Sequence, residues 1–314
     1  MAVYARPWSM AKLFSVVNFY KRLMTTQRDT IELEQAAIID HQQHAGDQFI
    51  LRVHAPQIAR SALPGSFAHI TCDPQLPMRR PISIMRTNPE NGWVDFLYKA
   101  IGRGTKLLAQ RKVGETLSIL GPIGQPFKLT PVYSRPLLIG GGVGMPPMIF
   151  IADWINKHYK NDYKPLVILG SEVPFPFTST PSQIMIPGMP DGVIASMPLL
   201  EDWGIASRLC SLQGYPGTHE GYVTDLARHW LETLDDKQRK EVVIMSCGPN
   251  PMLEAVASLA KEYDIPCQVS LEEFMACAVG GCAGCVVKVE TDNGPAMKRV
   301  CVDGPVFDAK QVFA

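Results

Sequence analysis

Four cysteines near the end of this 314-residue chain restrict its fold more than any other feature. Cys277-Ala-Val-Gly-Gly-Cys282-Ala-Gly-Cys285 has the spacing C-x4-C-x2-C, and Cys301 follows downstream. A bridged [2Fe–2S] rhomb needs a loop that wraps tightly around inorganic sulfide. Gly280, Gly281 and Gly284 allow that approach and let backbone N–H groups point at the sulfurs. Residues 286–289 and 297–300 are predicted as two strands around a turn at Asp292-Asn-Gly294, a hairpin that returns Cys301 to the loop. Structural zinc is the competing reading. Zinc sites usually pair two C-x2-C units, whereas here a four-residue gap precedes the pair and the fourth ligand stands alone.

The other cysteines, Cys72, Cys210, Cys247 and Cys267, lie scattered among apolar neighbours and are read as small buried hydrophobes. A disulfide set does not suit a chain without an evident secretory h-region, so a reducing cytoplasm is the expected compartment.

The length accommodates two domains and a small appendage. With 46% hydrophobic and 19% charged residues and a net charge of zero, nothing points to nucleic acid or an anionic membrane as partner. The apolar runs, such as Val242-Val-Ile-Met245, are too short to span a bilayer. Residues 1–28 differ, with five basic side chains (Arg6, Lys12, Lys21, Arg22, Arg28) and no acidic one. Three readings of this extension stay open: an amphipathic transit-like or membrane-surface helix, a docking helix, or an upstream start with the true one at Met10 or Met24.

Residues 31–132 carry short, partly alternating runs separated by Pro64-Gly65, Asn88-Pro89, Asn91-Gly92 and Gly121-Pro122. Expected strands fall at 49–54, 67–71, 82–85, 93–98 and 116–120, with a helix over 104–110, which predicts a small antiparallel β-barrel. After Pro136 strands alternate with helices: strands at 137–139, 166–169, 193–196, 242–245 and 267–271, helices at 147–158, from 224, and at 252–263. Residues 133–266 are therefore predicted as a doubly wound parallel sheet, and 267–314 as the cysteine segment.

Ligand signatures lie along this frame. In Arg80-Pro81-Ile82-Ser83 the forked cation suits a pyrophosphate and the hydroxyl a flavin or ribityl edge. Gly102-Arg-Gly104-Thr105 opens a short helix, where N–H groups and a hydroxyl favour phosphate. Gly140-Gly141-Gly142-Val-Gly144 joins a strand to a helix, where a glycine loop can hold a dinucleotide pyrophosphate, although it is not G-x-G-x-x-G. Cys247-Gly-Pro ends a strand at the edge where ligands of open sheets collect, and its thiol could approach a nicotinamide. Each motif alone is equally compatible with an ordinary strand start, cap, tight turn or buried cysteine.

Together Arg80-Pro-Ile-Ser83, Gly104-Thr105, Gly121-Pro-Ile-Gly124, the Gly140 cluster and Cys247-Gly-Pro resemble the ferredoxin–NADP reductase superfamily. With the four-cysteine loop, the chain from about residue 31 onward is similar to the electron-transfer subunit of class B dihydroorotate dehydrogenase. That resemblance implies an FAD-binding barrel, an NAD(H)-binding α/β domain and a C-terminal [2Fe–2S] segment. It implies FAD contacts from Arg80, Pro81, Ile82 and Ser83, from Leu97, Tyr98 and Lys99, and from Gly104 and Thr105. Gly141, Gly142 and Gly144 would hold the nucleotide, and Cys277, Cys282, Cys285 and Cys301 the cluster. It also implies a hetero-oligomer with an FMN-containing catalytic subunit of pyrimidine biosynthesis. The chain departs from the pattern in its basic extension, in Gly170-Ser-Glu172-Val and in Gln213-Gly-Tyr-Pro-Gly217. Glu172 would favour NAD over NADP by binding ribose hydroxyls. Two alternatives remain at this stage: a reductase component of another oxidoreductase, such as a hydrogenase-like, ferredoxin-linked or oxygenase system, and a flavin and cluster redox sensor without nucleotide turnover.

Overall fold

A computed structural model of the chain describes residues 30–313; the basic extension lies outside them. Its first unit contains β1 (Glu32–His44), β2 (Gln48–His54), α1 (Pro56–Ser61), β3 (Phe67–Ile70), β4 (Arg80–Asn88), β5 (Trp93–Lys99), α2 (Arg103–Leu108) and β6 (Thr116–Ile123). The strands close into an antiparallel barrel in the order β1-β2-β5-β4-β3-β6. Inward residues such as Ile38, Leu51, Ile70, Ile84 and Phe96 fill it completely, as a small barrel requires.

The longest barrel strand, β1, is absent from the predicted set. Its sequence, ELEQAAIIDHQQH, places only Ala36 and Ile38 in the barrel core and is broken by a bulge between Ile38 and Asp40. Polar outward residues and the bulge hide the period-two signal that marks a strand.

The second unit runs through β7 (Arg135–Gly141), a 3-10 turn (Gly142–Gly144), α3 (Met145–His158), β8 (Leu166–Gly170), β9 (Thr180–Pro181), β10 (Ala195–Ser196), α4 (Pro198–Asp202), β11 (Ala206–Cys210), α5 (Val223–Glu232), α6 (Asp236–Arg239), β12 (Val242–Cys247), α7 (Asn250–Glu262) and β13 (Cys267–Ser270). After the cysteine loop come β14 (Val286–Thr291), β15 (Gly294–Arg299), β16 (Val306–Asp308) and α8 (Ala309–Val312). The main sheet has the order β11-β8-β7-β12-β13-β16, parallel except for the antiparallel edge strand β16.

Two details differ from the sequence reading. The expected strand at 193–196 is only β10, a two-residue pairing with β9 away from the main sheet. The sheet edge is instead β11, Ala-Ser-Arg-Leu-Cys, whose polar residues disguise it. Its Arg208 is 4% exposed yet satisfied, donating to the carbonyls of Val193, Ser207 and Ile184 at 2.7–3.0 Å; buried cations persist when so partnered. The cysteine segment is also less separate than expected. β13 pairs in parallel with β12, and β16 returns to pair with β13, so both ends of the cysteine loop are stitched into the nucleotide sheet. Among the described residues no helix is long and apolar enough to cross a membrane.

Candidate redox site

The loop between β13 and β14 brings the four cysteines together. Cys285 and Cys301 are buried, with their Sγ atoms 3.3 Å apart, whereas Cys277 is half-buried and Cys282 exposed. The hairpin β14–β15 accomplishes the return, and Val300 N–H donates to the Cys285 carbonyl at 3.0 Å. Gly280 takes φ +80°, and Ala278 and Ala283 take φ +58° and +53°, conformations that cost an L-residue free energy and persist where the surroundings enforce them. The curl aims backbone N–H groups at sulfur: Cys282 N–H at Cys277 Sγ and Gly284 N–H at Cys282 Sγ, each at 3.4 Å.

These contacts act on ionisation. Burial opposes the Cys277 thiolate, but N–H groups of Val279, Cys282 and Gly281 with the Cys282 thiol outweigh it and lower the group to about 7. Cys301 is pushed up to about 12 by burial and then by its Cys285 neighbour. Arg299 braces the loop, donating from Nη1 to the Gly280 carbonyl at 3.1 Å while Asp303 accepts its backbone N–H at 2.8 Å. Four thiols on one loop and hairpin, with N–H groups aimed at Cys277 and Cys282, fit the ligand set of a bridged cluster.

The second group of predicted residues lies on β4, β5 and α2. Arg80 Nη1 donates to the carbonyls of Met78 and Arg79 at 2.9 and 3.1 Å, and its guanidinium lies against Gly104. A Cβ on Gly104 would stand 2.8 Å from Arg80 Nε; the glycine makes the close approach. Thr105 Oγ1 donates to the Gly102 carbonyl at 3.2 Å, closing the first turn of α2. Ile82 points into the barrel, with Pro81 and Ser83 on its outer face. Leu97 also faces outward, lining a cavity with Met85, Met145 and Ile149 between the barrel and α3. Lys99 is half-buried at the strand end.

Tyr98 behaves differently from its neighbours. Its ring is inside the barrel, stacked on Phe49 at 5.4 Å, and its hydroxyl bonds His41 Nε2 at 2.8 Å. Only its backbone reaches the outer face that Leu97 and Lys99 share.

The third group sits at the carboxyl ends of β7 and β12. Gly142 has φ +54° and nothing within 4 Å of a would-be Cβ, so the loop backbone is open to approach. Gly144 packs directly on the Cys247 carbonyl, where any side chain would collide. Cys247 is fully buried, and burial raises its thiol well above the ordinary range. Ser270 and the charge of Glu272 also act on it. Sequence reasoning passed over Glu272. The residue is solvent-accessible, and crowding of its carboxyl by protein atoms raises the group. An acidic residue just beyond a strand that ends at the ligand edge of the sheet was the available signal.

Barrel, nucleotide-type sheet and cysteine loop define a class: an NAD(P)H-linked flavin oxidoreductase component with an iron–sulfur segment. The signature of the iron–sulfur cluster binding domain of dihydroorotate dehydrogenase B matches residues 272–313. The chain is 32% identical over 272 residues to the dihydroorotate dehydrogenase B (NAD(+)) electron transfer subunit of Desulforamulus reducens, covering 85% of this chain and 93% of that one. The corresponding subunit of Shouchella clausii is 32% identical over 279 residues, covering 88% and 96%. Among solved structures, an NADH-dependent reduced ferredoxin–NADP oxidoreductase studied for flavin-based electron bifurcation superposes with a TM-score of 0.71, 25% identity and coverage of 89% and 90%. The ferredoxin reductase of carbazole 1,9a-dioxygenase shares the fold, with a TM-score of 0.58, 20% identity and coverage of 75% and 67%. The chain belongs to the family of dihydroorotate dehydrogenase B electron transfer subunits.

Proposed function

We propose that this chain carries electrons between NAD(H) and a separate FMN-containing catalytic subunit acting on dihydroorotate, within a cytoplasmic hetero-oligomer. Residues 31–132 would hold FAD, 133–266 NAD(H), and 267–314 the cluster. Bound FAD would supply two-electron hydride exchange with nicotinamide and one-electron exchange with a [2Fe–2S] cluster. The single observation that carries this reading is the placement of a four-thiol loop between two strands of the nucleotide sheet, with the barrel's Arg80–Gly104 cradle in the same chain.

The chain's own residues supply binding and electrostatics. Arg80, Lys99 and the α2 start at Gly104 and Thr105 hold the flavin pyrophosphate. Pro81 and Ser83 meet the ring system from the outer face of β4, with Ile82 supporting the strand from inside. Leu97 offers apolar surface, and Tyr98 contributes backbone alone. Gly141, Gly142 and Gly144 form the nucleotide pyrophosphate loop, and Glu172 takes ribose hydroxyls. Cys247, kept as a neutral thiol, and Glu272 line the nicotinamide side. Cys277, Cys282, Cys285 and Cys301 bind iron as thiolates, with exposed Cys282 marking the side that faces the partner.

Anaerobic addition of NADH to the FAD- and iron-loaded chain tests this. The expected result is bleaching of flavin absorbance followed by loss of the cluster bands. A flavin that stays oxidised would favour a redox sensor without nucleotide turnover.

A further inference from the structure

His69 on β3 is 1% exposed, and neither of its ring nitrogens makes a hydrogen bond. Along β3, Ala68 and Ile70 enter the barrel core, so Phe67 and His69 stand on the outer face. The register sets Phe67 opposite Ser83 and His69 opposite Pro81. The imidazole therefore shares a face with the two outward residues of the proposed flavin strand.

The arm leading into the cysteine loop reaches the ring there through the Met275 backbone. The backbones of Met275 and Arg79 lie near enough to favour a charged ring, but burial and the Arg79 guanidinium dominate, and the group is lowered to about 4. Arg79 itself is committed elsewhere: Nη1 donates to the carbonyls of His69 and Ser118, and Nη2 to Ser118 Oγ. It offers the ring a field and no hydrogen bond.

A neutral imidazole carries one N–H and one lone pair. The lone pair is favoured by the nearby guanidinium, but a buried N–H without an acceptor is destabilising. An apolar ring of similar shape would avoid that cost. We propose that His69 is a positioning residue that fastens the cluster arm to the flavin strand, its N–H donating to the Met275 carbonyl once the cofactors are bound. Met275 lies two residues before Cys277, so this one bond fixes the separation between flavin and cluster. The inference rests on the flavin and cluster assignments above.

The test uses the loaded full-length chain as wild type, His69→Phe, His69→Gln and His69→Asn, each assayed for flavin and iron. After anaerobic mixing with NADH, stopped-flow absorbance separates flavin bleaching from cluster reduction, and amide hydrogen exchange reports on residues 275–279. In His69→Phe, cluster reduction slows about tenfold relative to flavin bleaching, and exchange in the arm rises. Gln or Asn, whose amide N–H stands near one ring-nitrogen position or the other, restores both readouts in one of the two variants. Wild-type values in His69→Phe overturn the proposal. Equal slowing in all three variants also overturns it, because ring shape and not the N–H would then matter. Should His69→Phe fail to load, the amide variants decide alone: rescue in one supports the bond, and slowing in both refutes it. A wild-type chain that takes up neither flavin nor iron defeats the functional reading itself. A loaded wild type with an unaffected His69→Phe defeats only this inference.

Discussion

The Sγ atoms of Cys285 and Cys301 lie 3.3 Å apart in the interior although the whole β14–β15 hairpin separates them in sequence. Two thiols held this way are ready for a shared ligand. Cys301→Ser is expected to abolish the cluster absorbance and lower iron and sulfide per flavin to near zero, while the barrel still binds FAD. Iron retention with unchanged bands would remove Cys301 from the ligand set.

Gly104 and Arg80 form a comparable pair. A methyl group at Gly104 would stand 2.8 Å from Arg80 Nε and push the guanidinium away. A displaced charge-assisted contact is worth roughly 1.5–3 kcal/mol, so Gly104→Ala should weaken FAD binding by about 10- to 100-fold. Fluorescence titration of the flavin-free protein measures it.

Arg299 ties the cysteine loop to the hairpin through Gly280 and Asp303. Arg299→Ala removes the Gly280 bond and should loosen the loop by about 1 kcal/mol. Iron release to a chelator, followed by absorbance, is then expected to accelerate about fivefold, with FAD retention unchanged.

His69 also sets a pH dependence. Its folded-state value is lowered from 6.5 to about 4, first by burial and then by the Arg79 charge. Between those limits the unfolded chain binds the proton and the folded chain does not. Stability is therefore complete above pH 6.5 and falls as pH drops toward 4. The full loss is on the order of 3 kcal/mol. Denaturant unfolding of the cofactor-free chain across this range should show a smaller slope in His69→Gln.

The parts legible in the sequence are those whose signal is local. The C-x4-C-x2-C spacing, the glycine cluster after β7 and the apolar runs of β8 and β12 each report on their own neighbourhood. The parts that were not legible depend on tertiary partners. β11 reads as polar because Arg208 is satisfied only by carbonyls brought in from Val193 and Ile184. Tyr98 sits among residues implied to touch FAD, but its ring is held inside the barrel by His41 and Phe49 from β1 and β2. The approach of the Met275 backbone to His69 joins segments some 200 residues apart in the sequence, and no local pattern encodes it.

The most direct test of the central claim is anaerobic addition of dihydroorotate to the loaded chain, alone and with an FMN-containing dihydroorotate dehydrogenase catalytic subunit. No change is expected alone; with the partner present, flavin and cluster are reduced, and NAD added afterwards is converted to NADH. A partner-bound chain whose flavin and cluster stay oxidised while the partner's FMN is reduced would contradict it.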